Sequence, residues 1–180
     1  KTTLMNIIGT LDRPDSGDVL FQGSSILQMN PDQSASYRNR NVGFVFQDHL
    51  LLPHLTVIEN IMLPVSAFKI RDADYIEKKE YARMMIEKTG ISGLENKYPF
   101  NISGGEAQRV TIVRALINKP SILLADEPTG SLDSRNADIL GNLLADLNRE
   151  FGITLITVTH SDNLASKMAL HYKLENGKLK

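Results

Sequence analysis

The segment that constrains the fold most is residues 121–125 (SILLA), a short apolar run that Pro120 precedes and two acidic residues follow. A run of this length without alternating polar residues is typical of a strand that is buried on both of its faces. Such strands occur in parallel sheets, because the crossover helices lie on both sides of the sheet. The sequence therefore predicts an α/β fold with a parallel sheet.

Strand-like and helix-like segments alternate along the chain, except in its middle, where only helical spacing is found. The predicted strands are residues 18–22, 41–47, 121–125, 153–158 and 171–175, the last before the turn Asn176-Gly177. The predicted helices are residues 1–11, 31–40, 56–68, 72–89, 104–118, 134–151 and 163–168. We therefore predict a core of residues 1–47 and 119–180 that an all-helical insertion, residues 48–118, interrupts. In the helix over residues 72–89, the expected buried stripe consists of Ile76, Met84, Met85 and Ile86.

Composition excludes several classes of function. The 180 residues carry 20 Lys and Arg against 21 Asp and Glu, a net charge of -1, which argues against binding nucleic acid through bulk positive charge. The absence of cysteine excludes disulfides, thiolate metal sites and cysteine nucleophiles. No apolar run approaches the ~18 residues needed to cross a bilayer. We therefore expect any role at a membrane to depend on a partner.

Two adjacent carboxylates, Asp126 and Glu127, follow the buried strand directly. Ligands of parallel α/β sheets bind at the carboxyl ends of the strands. Asp126 suits a hydrated Mg²⁺, which binds through few carboxylates, and Glu127 is then free to orient or deprotonate a water molecule. The alternative interpretation is a pair of surface acids at the end of a strand.

The segment Ser103-Gly104-Gly105-Glu106 begins a predicted helix. Ser103 and Glu106 have the S-x-x-E spacing of a capping box, so a well-capped helix is the simplest interpretation. The two glycines are unfavourable in a first helical turn, and they indicate in addition a close approach of backbone N–H groups to an anion. A phosphate group fits such a site, with the Ser103 hydroxyl as a further donor.

Lys1-Thr2-Thr3 opens an apolar helix, as do the last residues of the phosphate-binding loop G-x-x-x-x-G-K-[ST]. In such a loop Lys1 would contact β- and γ-phosphate oxygens, and Thr2 would bind Mg²⁺ through its hydroxyl. The tripeptide alone is uninformative, and its significance comes from the acid pair downstream.

Gln47 and His160 end two other predicted strands, at the same edge of the sheet. Gln47 could position a water molecule or the metal, and His160 could contact a γ-phosphate. A structural role is the alternative for each residue taken alone, and their common edge favours the functional interpretation.

Together these residues resemble the nucleotide-binding domain of ATP-binding-cassette (ABC) proteins. Lys1-Thr2 is similar to the end of Walker A, Gln47 to the Q-loop and residues 102–108 to the ABC signature. Residues 123–127 resemble Walker B with its catalytic glutamate, residues 131–133 the D-loop and His160 the H-loop. The order and spacing of these motifs agree over essentially the whole chain.

The resemblance implies a P-loop NTPase (RecA-like) core and a helical signature subdomain, residues 48–118, within one ABC ATPase domain that spans residues 1–180. It implies ATP and Mg²⁺ as cofactors and two copies that close head to tail around two ATP molecules. The implied catalytic residues are Glu127, His160 and Gln47, and the implied ligands of Mg²⁺ are Thr2, Gln47 and Asp126. The implied nucleotide contacts are Lys1, Thr2, Thr3, Ser103, Gly104, Gly105, Glu106 and Asp133, of which the signature residues Ser103, Gly104 and Gly105 act in trans.

A finer resemblance concerns residues 43–47 (GFVFQ), residues 51–53 (LLP), Thr56 and the pair Glu59-Asn60. These positions are similar to the group that contains lipoprotein-releasing ATPases, macrolide exporters and the cell-division ABC ATPase. Residues 135–138 and 147–149 favour the lipoprotein-releasing type within that group. The implied partners are integral membrane transporter subunits and a second copy of the chain, without nucleic acid. The implied location is peripheral, on the cytoplasmic face of a bacterial inner membrane.

Two departures from the family pattern are present. The signature reads Ile-Ser-Gly-Gly-Glu in place of Leu-Ser-Gly-Gly-Gln, although Glu106 still fits the capping box. The sequence begins at Lys1. It therefore does not include the glycines of the phosphate loop or the aromatic residue that the family places against adenine. We therefore expect the chain to be a fragment that lacks its N-terminal part and is inactive by itself.

The leading hypothesis is the ATPase subunit of a transporter for export or membrane extraction, with residues 50–64 in the groove that docks a membrane partner. Simple packing of the helical subdomain is the alternative role for that segment. A macrolide-exporter-like or cell-division complex, and a soluble ABC ATPase that acts on DNA or ribosomes, are the alternative functions. A binding module with a degenerate site is a third class, against which Asp126, Glu127 and His160 argue. Co-purification with integral membrane proteins in detergent separates the transporter from the soluble ATPase.

Overall fold

The computed structural model describes residues 1–68 and 71–180; Lys69 and Ile70, inside the predicted helical subdomain, lie outside the described residues. The helices are α1 (Thr2–Ile8), α2 (Pro31–Asn41), α3 (Val57–Ser66), α4 (Asp72–Lys88), α5 (Gly104–Leu116), α6 (Ser134–Phe151) and α7 (Asp162–Ser166), with a 3-10 turn at Pro99–Asn101. The strands are β1 (Leu20–Phe21), β2 (Ser24–Ser25), β3 (Val42–Val45), β4 (Ile122–Asp126), β5 (Thr154–Val158), β6 (Leu174–Glu175) and β7 (Lys178–Leu179). Each predicted helix and strand has a counterpart at nearly the predicted place.

The central sheet is parallel, with the strand order β3-β4-β5. Val45 pairs with Ala125 across β3 and β4, and Asp126 pairs with Val158 across β4 and β5. The predicted α/β class with a parallel sheet is therefore confirmed. This register also aligns the carboxyl ends of all three strands at one edge.

Strand β4 is covered on both faces, which explains its uninterrupted apolar sequence. Leu123 and Ala125 belong to a buried cluster that α3, α4, α5 and α6 complete. Leu124 points to the other face, where it packs in a second cluster with Met5 of α1 and Tyr37 of α2. Both faces of the strand are thus removed from water, and the first polar positions come at its end.

Helix α5 is shared between the helical segment and the sheet. It packs against α3 and α4, and it also packs against β3. Ala107 and Leu116, near its two ends, lie in one continuous buried cluster with Leu123 of the sheet. The division into residues 1–47 and 119–180 on one side and 48–118 on the other stays a prediction, because this cluster crosses it.

Of the four residues in the predicted buried stripe of α4, two are buried and two are exposed. Met85 and Ile86 are fully buried, whereas Met84 is 45% exposed and Ile76 is 62% exposed. Buried Ala82 shows the true stripe, since positions three and four residues apart share a face of a helix. Successive residues turn by about 100°, so Met84 and Ile76 lie well away from the line through Ala82, Met85 and Ile86.

The predicted strands at residues 18–22 and 171–175 are parts of two short hairpins. Strand β1 pairs with β2, and β6 pairs with β7, both in antiparallel register. Asn176 and Gly177 have φ angles of 49° and 77°, as the tight turn of a two-residue hairpin requires. Strand β7 was missed because it has only two residues, Lys178–Leu179. Across the described ranges 1–68 and 71–180, no helix combines the length and apolar character that crossing a membrane requires.

Gly43 lies where β3 packs closely against α5. A methyl group at this position would lie 2.5 Å from the carbonyl oxygen of Ala115 and 2.9 Å from Cδ1 of Leu123. We expect Gly43→Ala to lower the free energy of unfolding by about 1–3 kcal/mol, because the backbone of α5 must move to relieve the overlap. Urea unfolding followed by circular dichroism measures the loss. Gly104→Ala, at a position with no atom within 4 Å, is the control, and equal stability of the two variants would contradict this close packing.

Candidate functional site

The carboxyl ends of the parallel strands bring Glu127 and His160 together. Glu127 follows β4, and its backbone N–H donates to the carbonyl oxygen of Val158 at 2.8 Å, which extends the pairing of β4 and β5 by one residue. His160 Nε2 lies 3.8 Å from Glu127 Oε1. The two side chains differ in environment, because that of His160 is 83% exposed and that of Glu127 only 20%.

The carboxylate of Glu127 is held through one oxygen and free at the other. Oε2 accepts a hydrogen bond of 3.1 Å from the hydroxyl of Thr159. Oε1 is buried and has no hydrogen-bond partner among the described residues. Buried polar atoms normally have a partner, so an unpaired carboxylate oxygen at the ligand-binding edge of a sheet is suited to a ligand.

The backbone of Glu127 is strained. Its φ angle is 44°, in the left-handed region that non-glycine residues seldom adopt. The tight turn that follows is closed by a 2.9 Å hydrogen bond from the backbone N–H of Gly130 to the carbonyl oxygen of Glu127. Strained residues of this kind cluster at functional sites.

Lys1 reaches the same edge from the start of α1. Its Nζ donates to the carbonyl oxygen of Thr159 at 3.1 Å. The ammonium group is therefore bound to the residue that directly precedes His160 in the chain. Thr2 and Thr3 are exposed in the first turn of α1. The predicted nucleotide-binding residues Lys1, Thr2 and Thr3 therefore begin a helix that packs against β4.

Gln47 follows β3 and lies against the turn after Glu127. A methyl group at Gly130 would stand 3.2 Å from Cδ of Gln47, and the Ser131 hydroxyl donates to the Gln47 carbonyl oxygen at 3.4 Å. The loop is also tied to α5, because buried Gln108 donates through Nε2 to the carbonyl oxygen of Phe46 at 2.8 Å. This role of Gln108 was not predicted, because its partner Phe46 lies far away along the chain.

Arg114 of α5 fixes the continuation of this loop. Its guanidinium donates to the carbonyl oxygens of His49 and Leu50 at 2.9 and 2.8 Å. Burial lowers the pKa of the Arg114 guanidinium from its usual value. The loop after Gln47 is therefore held by the helix that begins at the glycine pair, a link that sequence reasoning also missed.

Ser103 and Glu106 form the predicted capping box at the start of α5. Glu106 Oε2 accepts from both the backbone N–H and the hydroxyl of Ser103 at 2.7 Å, and the Glu106 N–H approaches Ser103 Oγ at 3.4 Å. Hydrogen bonds from the side chain and the backbone of Ser103 lower the pKa of Glu106. The capped-helix interpretation is confirmed, and any role in binding an anion is additional to it.

The start of α5 lies beside the start of α6. A methyl group at Gly105 would stand 3.4 Å from Oδ1 of Asn136, whereas Gly104 faces open space. Asp133 caps α6 by accepting from Asn136 N–H at 2.9 Å, and the hydrogen bonds from Asn136 lower the pKa of Asp133. In the described part of the chain, no hydrogen bond joins the Ser103-Gly104-Gly105 turn to Glu127 or Lys1.

Asp126 is the acid available for a cation at this edge. It ends β4, partly exposed, opposite Val158. No group of three or more His, Asp or Glu side chains suited to a metal occurs within residues 1–68 and 71–180. A single carboxylate supplemented by a hydroxyl and an amide oxygen fits Mg²⁺, which keeps several of its waters. The chemistry of Asp126, Thr2 and Gln47 is thus compatible with Mg²⁺.

Comparisons with known proteins converge on one family. A family model described as "ABC transporter" matches residues 1–130. The lipoprotein-releasing system ATP-binding protein LolD of Myxococcus xanthus (strain DK1622) is 43% identical over 179 residues, 99% of this chain and 79% of the relative. The protein of the same name from Oleidesulfovibrio alaskensis (strain ATCC BAA-1058 / DSM 17464 / G20) is 45% identical over 99% of this chain and 76% of its own length.

Solved structures show the same fold. A dimeric structure of MJ0796, described as a bacterial ABC transporter cassette, has a TM-score of 0.80 at 36% identity over 92% of this chain and 72% of that one. A dimeric post-hydrolysis state of the ATP-binding cassette MJ0796, bound to ADP and Pi, has a TM-score of 0.77 at 37% identity with the same coverage.

The Glu106 cap makes stability depend on pH. Because the pKa of Glu106 in the folded state lies below its ordinary value of 4.5, its charge stabilises the fold fully above that pH and ceases to do so as the pH falls through the folded-state pKa. We expect Glu106→Gln to be less stable than the wild type at about pH 7, and the gap to narrow as the pH falls below 4.5. Urea unfolding at a series of pH values measures the difference. Glu77→Gln, at an exposed position of α4, controls for loss of charge, and a constant gap would contradict this origin.

Proposed function

This chain belongs to the ABC transporter family of ATP-binding domains, and from that premise we propose that it hydrolyses ATP at the sheet edge where Glu127 lies. The observation that supports this site most directly is the buried Oε1 of Glu127, which has no hydrogen-bond partner among the described residues and lies 3.8 Å from His160 Nε2. A carboxylate in this situation can accept a proton from water without first breaking an existing hydrogen bond.

In the proposed reaction Glu127 Oε1 takes a proton from a water molecule whose oxygen attacks the γ-phosphorus. The bond from the γ-phosphorus to the bridging oxygen breaks, and ADP and phosphate leave. Lys1 offers a positive charge to the β- and γ-phosphate oxygens, since its Nζ is already held at this edge by the Thr159 carbonyl. His160 is exposed and free to contact the γ-phosphate, and Gln47 orients the water.

We propose Mg²⁺ as the metal of this site, held by Asp126 with the Thr2 hydroxyl and the Gln47 side chain. When bound, the ion neutralises charge on the phosphate oxygens. The chain's own contribution is to place one carboxylate for the cation next to another that remains available as a base. Asp126 and Glu127 are adjacent in sequence, and both lie at the carboxyl end of β4.

A second copy completes the proposed site. Ser103, Gly104 and Gly105 begin α5 away from Glu127, and Gly104 faces open space. The backbone N–H groups at the start of a 13-residue helix attract an anion, so this turn can contact the γ-phosphate bound by another copy. The dimeric structures of MJ0796 support this arrangement. Asp133 accepts a hydrogen bond from Asn136, and Asn136 lies against Gly105 of the same turn. This position supports the predicted role of Asp133 near the nucleotide.

We further propose that the hydrolysis drives lipoprotein release through membrane subunits that bind this chain. Relatives at 43% and 45% identity are lipoprotein-releasing system ATP-binding proteins. The chain would then act as a peripheral subunit on the cytoplasmic face of a bacterial inner membrane. Macrolide export and a cell-division complex remain the alternative tasks of the same ATPase.

The loop after Gln47 has the character of a partner-binding surface. Leu50 is 59% exposed and Leu52 is 39% exposed, whereas Leu51 between them is buried. An apolar cavity of about 450 Å³ opens nearby between α2, β3, α3 and α5, with Phe46 and Phe68 among its lining residues. Exposed apolar surface of this kind is typical of a protein interface. The predicted docking role of residues 50–64 therefore falls on their exposed leucines, and the buried members of the segment pack in the core.

Replacing the base tests the proposed reaction. We expect Glu127→Gln to lower kcat for ATP hydrolysis by about 10²–10⁴-fold, because an amide cannot take the proton of the water. ATP binding should persist, since Lys1 and the helix termini are unchanged. Phosphate release and nucleotide binding by the intact protein measure the two quantities. Glu87→Gln, exposed on α4, should hydrolyse ATP normally, and rapid turnover by Glu127→Gln would exclude Glu127 as the base.

Blocking the glycine turn tests the proposed dimer. We expect Ser103→Arg to prevent ATP-dependent dimerisation in a Glu127→Gln background, because a bulky side chain then occupies the space that the partner's phosphate would take. Binding of ATP to the single copy should be unaffected. Light scattering with and without ATP reports the assembly state. Ser16→Arg adds the same side chain at an exposed position and should dimerise, whereas dimers of the Ser103 variant would contradict a role of this turn in trans.

A further inference from the structure

Thr159 lies at the centre of the contacts that surround Glu127. Its hydroxyl donates to Glu127 Oε2 at 3.1 Å. The same hydroxyl oxygen accepts from the backbone N–H of Ser161 at 2.9 Å. Its carbonyl oxygen accepts from Lys1 Nζ at 3.1 Å. One residue therefore contacts both the carboxylate and the lysine of the site, through different groups.

The contact with Ser161 restricts the direction of the Thr159 hydroxyl. A hydroxyl has a single hydrogen to donate. With the Ser161 N–H on its oxygen, the Thr159 hydroxyl is oriented so that this hydrogen goes to the carboxylate. The hydrogen bond therefore selects Oε2 of Glu127, and within residues 1–68 and 71–180 Oε1 has no hydrogen-bond partner.

We propose that Thr159 is a positioning residue for ATP hydrolysis, which holds Glu127 so that Oε1 faces the reacting water. This inference rests on the proposed function of Glu127 as the base. The side chain of a glutamate has several rotatable bonds, and a base contributes fully only when it is held within hydrogen-bond reach of the proton that it takes. Thr159 acts through Glu127 and needs no contact with ATP through its own side chain.

The role in positioning the base is separable from the contact with Lys1. Lys1 binds the backbone carbonyl of Thr159, which side-chain substitutions leave in place. Loss of the hydroxyl should therefore change the chemical step and leave nucleotide binding unchanged. A general loss of structure at this edge would affect both.

Thr157 of β5, two residues before Thr159, provides a matched control. The hydroxyl oxygen of Thr157 is buried, as is Oε1 of Glu127. It has no hydrogen-bond partner among the described residues. Replacing a threonine by valine keeps the branched shape and removes only the hydroxyl. At position 157 this change removes an unpaired polar group, which costs nothing in hydrogen bonds.

The experiment compares Thr159→Val, Thr159→Ser and Thr157→Val in the intact protein, with kcat and KM for ATP measured for each. We expect Thr159→Val to lower kcat about tenfold with KM unchanged, the effect of losing one hydrogen bond to a charged group. Thr159→Ser, which keeps the hydroxyl, should restore kcat close to the wild-type value. Thr157→Val should match the wild type in kcat and KM.

The possible failures are distinguishable. If the wild type hydrolyses ATP and Thr159→Val keeps its kcat, the positioning role is wrong while the proposed function stands. If Thr159→Val changes KM as strongly as kcat, or Thr159→Ser fails to restore kcat, the hydroxyl does not act through Glu127. If the wild type itself has no ATPase activity, or Glu127→Gln is fully active, the proposed function fails first. Thermal unfolding of each variant identifies any loss of folding.

Discussion

The burial of β4 on both faces is the constraint on which the rest of the structure depends. Leu123 and Ala125 pack on one side and Leu124 on the other, so no polar residue is tolerated until the strand ends. Parallel pairing with β3 and β5 aligns the three strand ends at one edge. Polar groups that the core excludes are therefore concentrated there, and Asp126, Glu127 and His160 follow from the layout of the sheet.

Helix α5 connects this edge to the rest of the molecule. Its first turn carries the Ser103–Glu106 cap, Gln108 holds the carbonyl oxygen of Phe46, and Arg114 holds the loop beyond Gln47. Because one continuous helix makes all these contacts, the glycine turn and the loop with the exposed leucines are attached to the same element. In the proposed function this helix connects the bound phosphate with the surface that binds a partner.

The sequence predicted those features that short-range pattern determines. The apolar run predicts β4, the capping box predicts the start of α5, and the Asn176-Gly177 pair predicts the last hairpin turn. In each case the observed bounds lie within a few residues of the predicted ones. Contacts between positions far apart in the chain cannot be predicted from such patterns. The hydrogen bonds of Thr159, Gln108 and Arg114 were missed for this reason. The error on α4 has a different cause, since Met84 and Ile76 are apolar but exposed, and composition alone does not identify the face that packs.

The left-handed backbone of Glu127 has a consequence for how the chain balances folding against chemistry. A glutamate with a φ angle of 44° costs of order 1–3 kcal/mol relative to relaxed geometry, whereas glycine adopts the same angle freely. Glycine at this turn would relieve that strain but would bring no carboxylate to the edge of the sheet. Backbone stability and the proposed chemistry therefore make opposite demands on this one position.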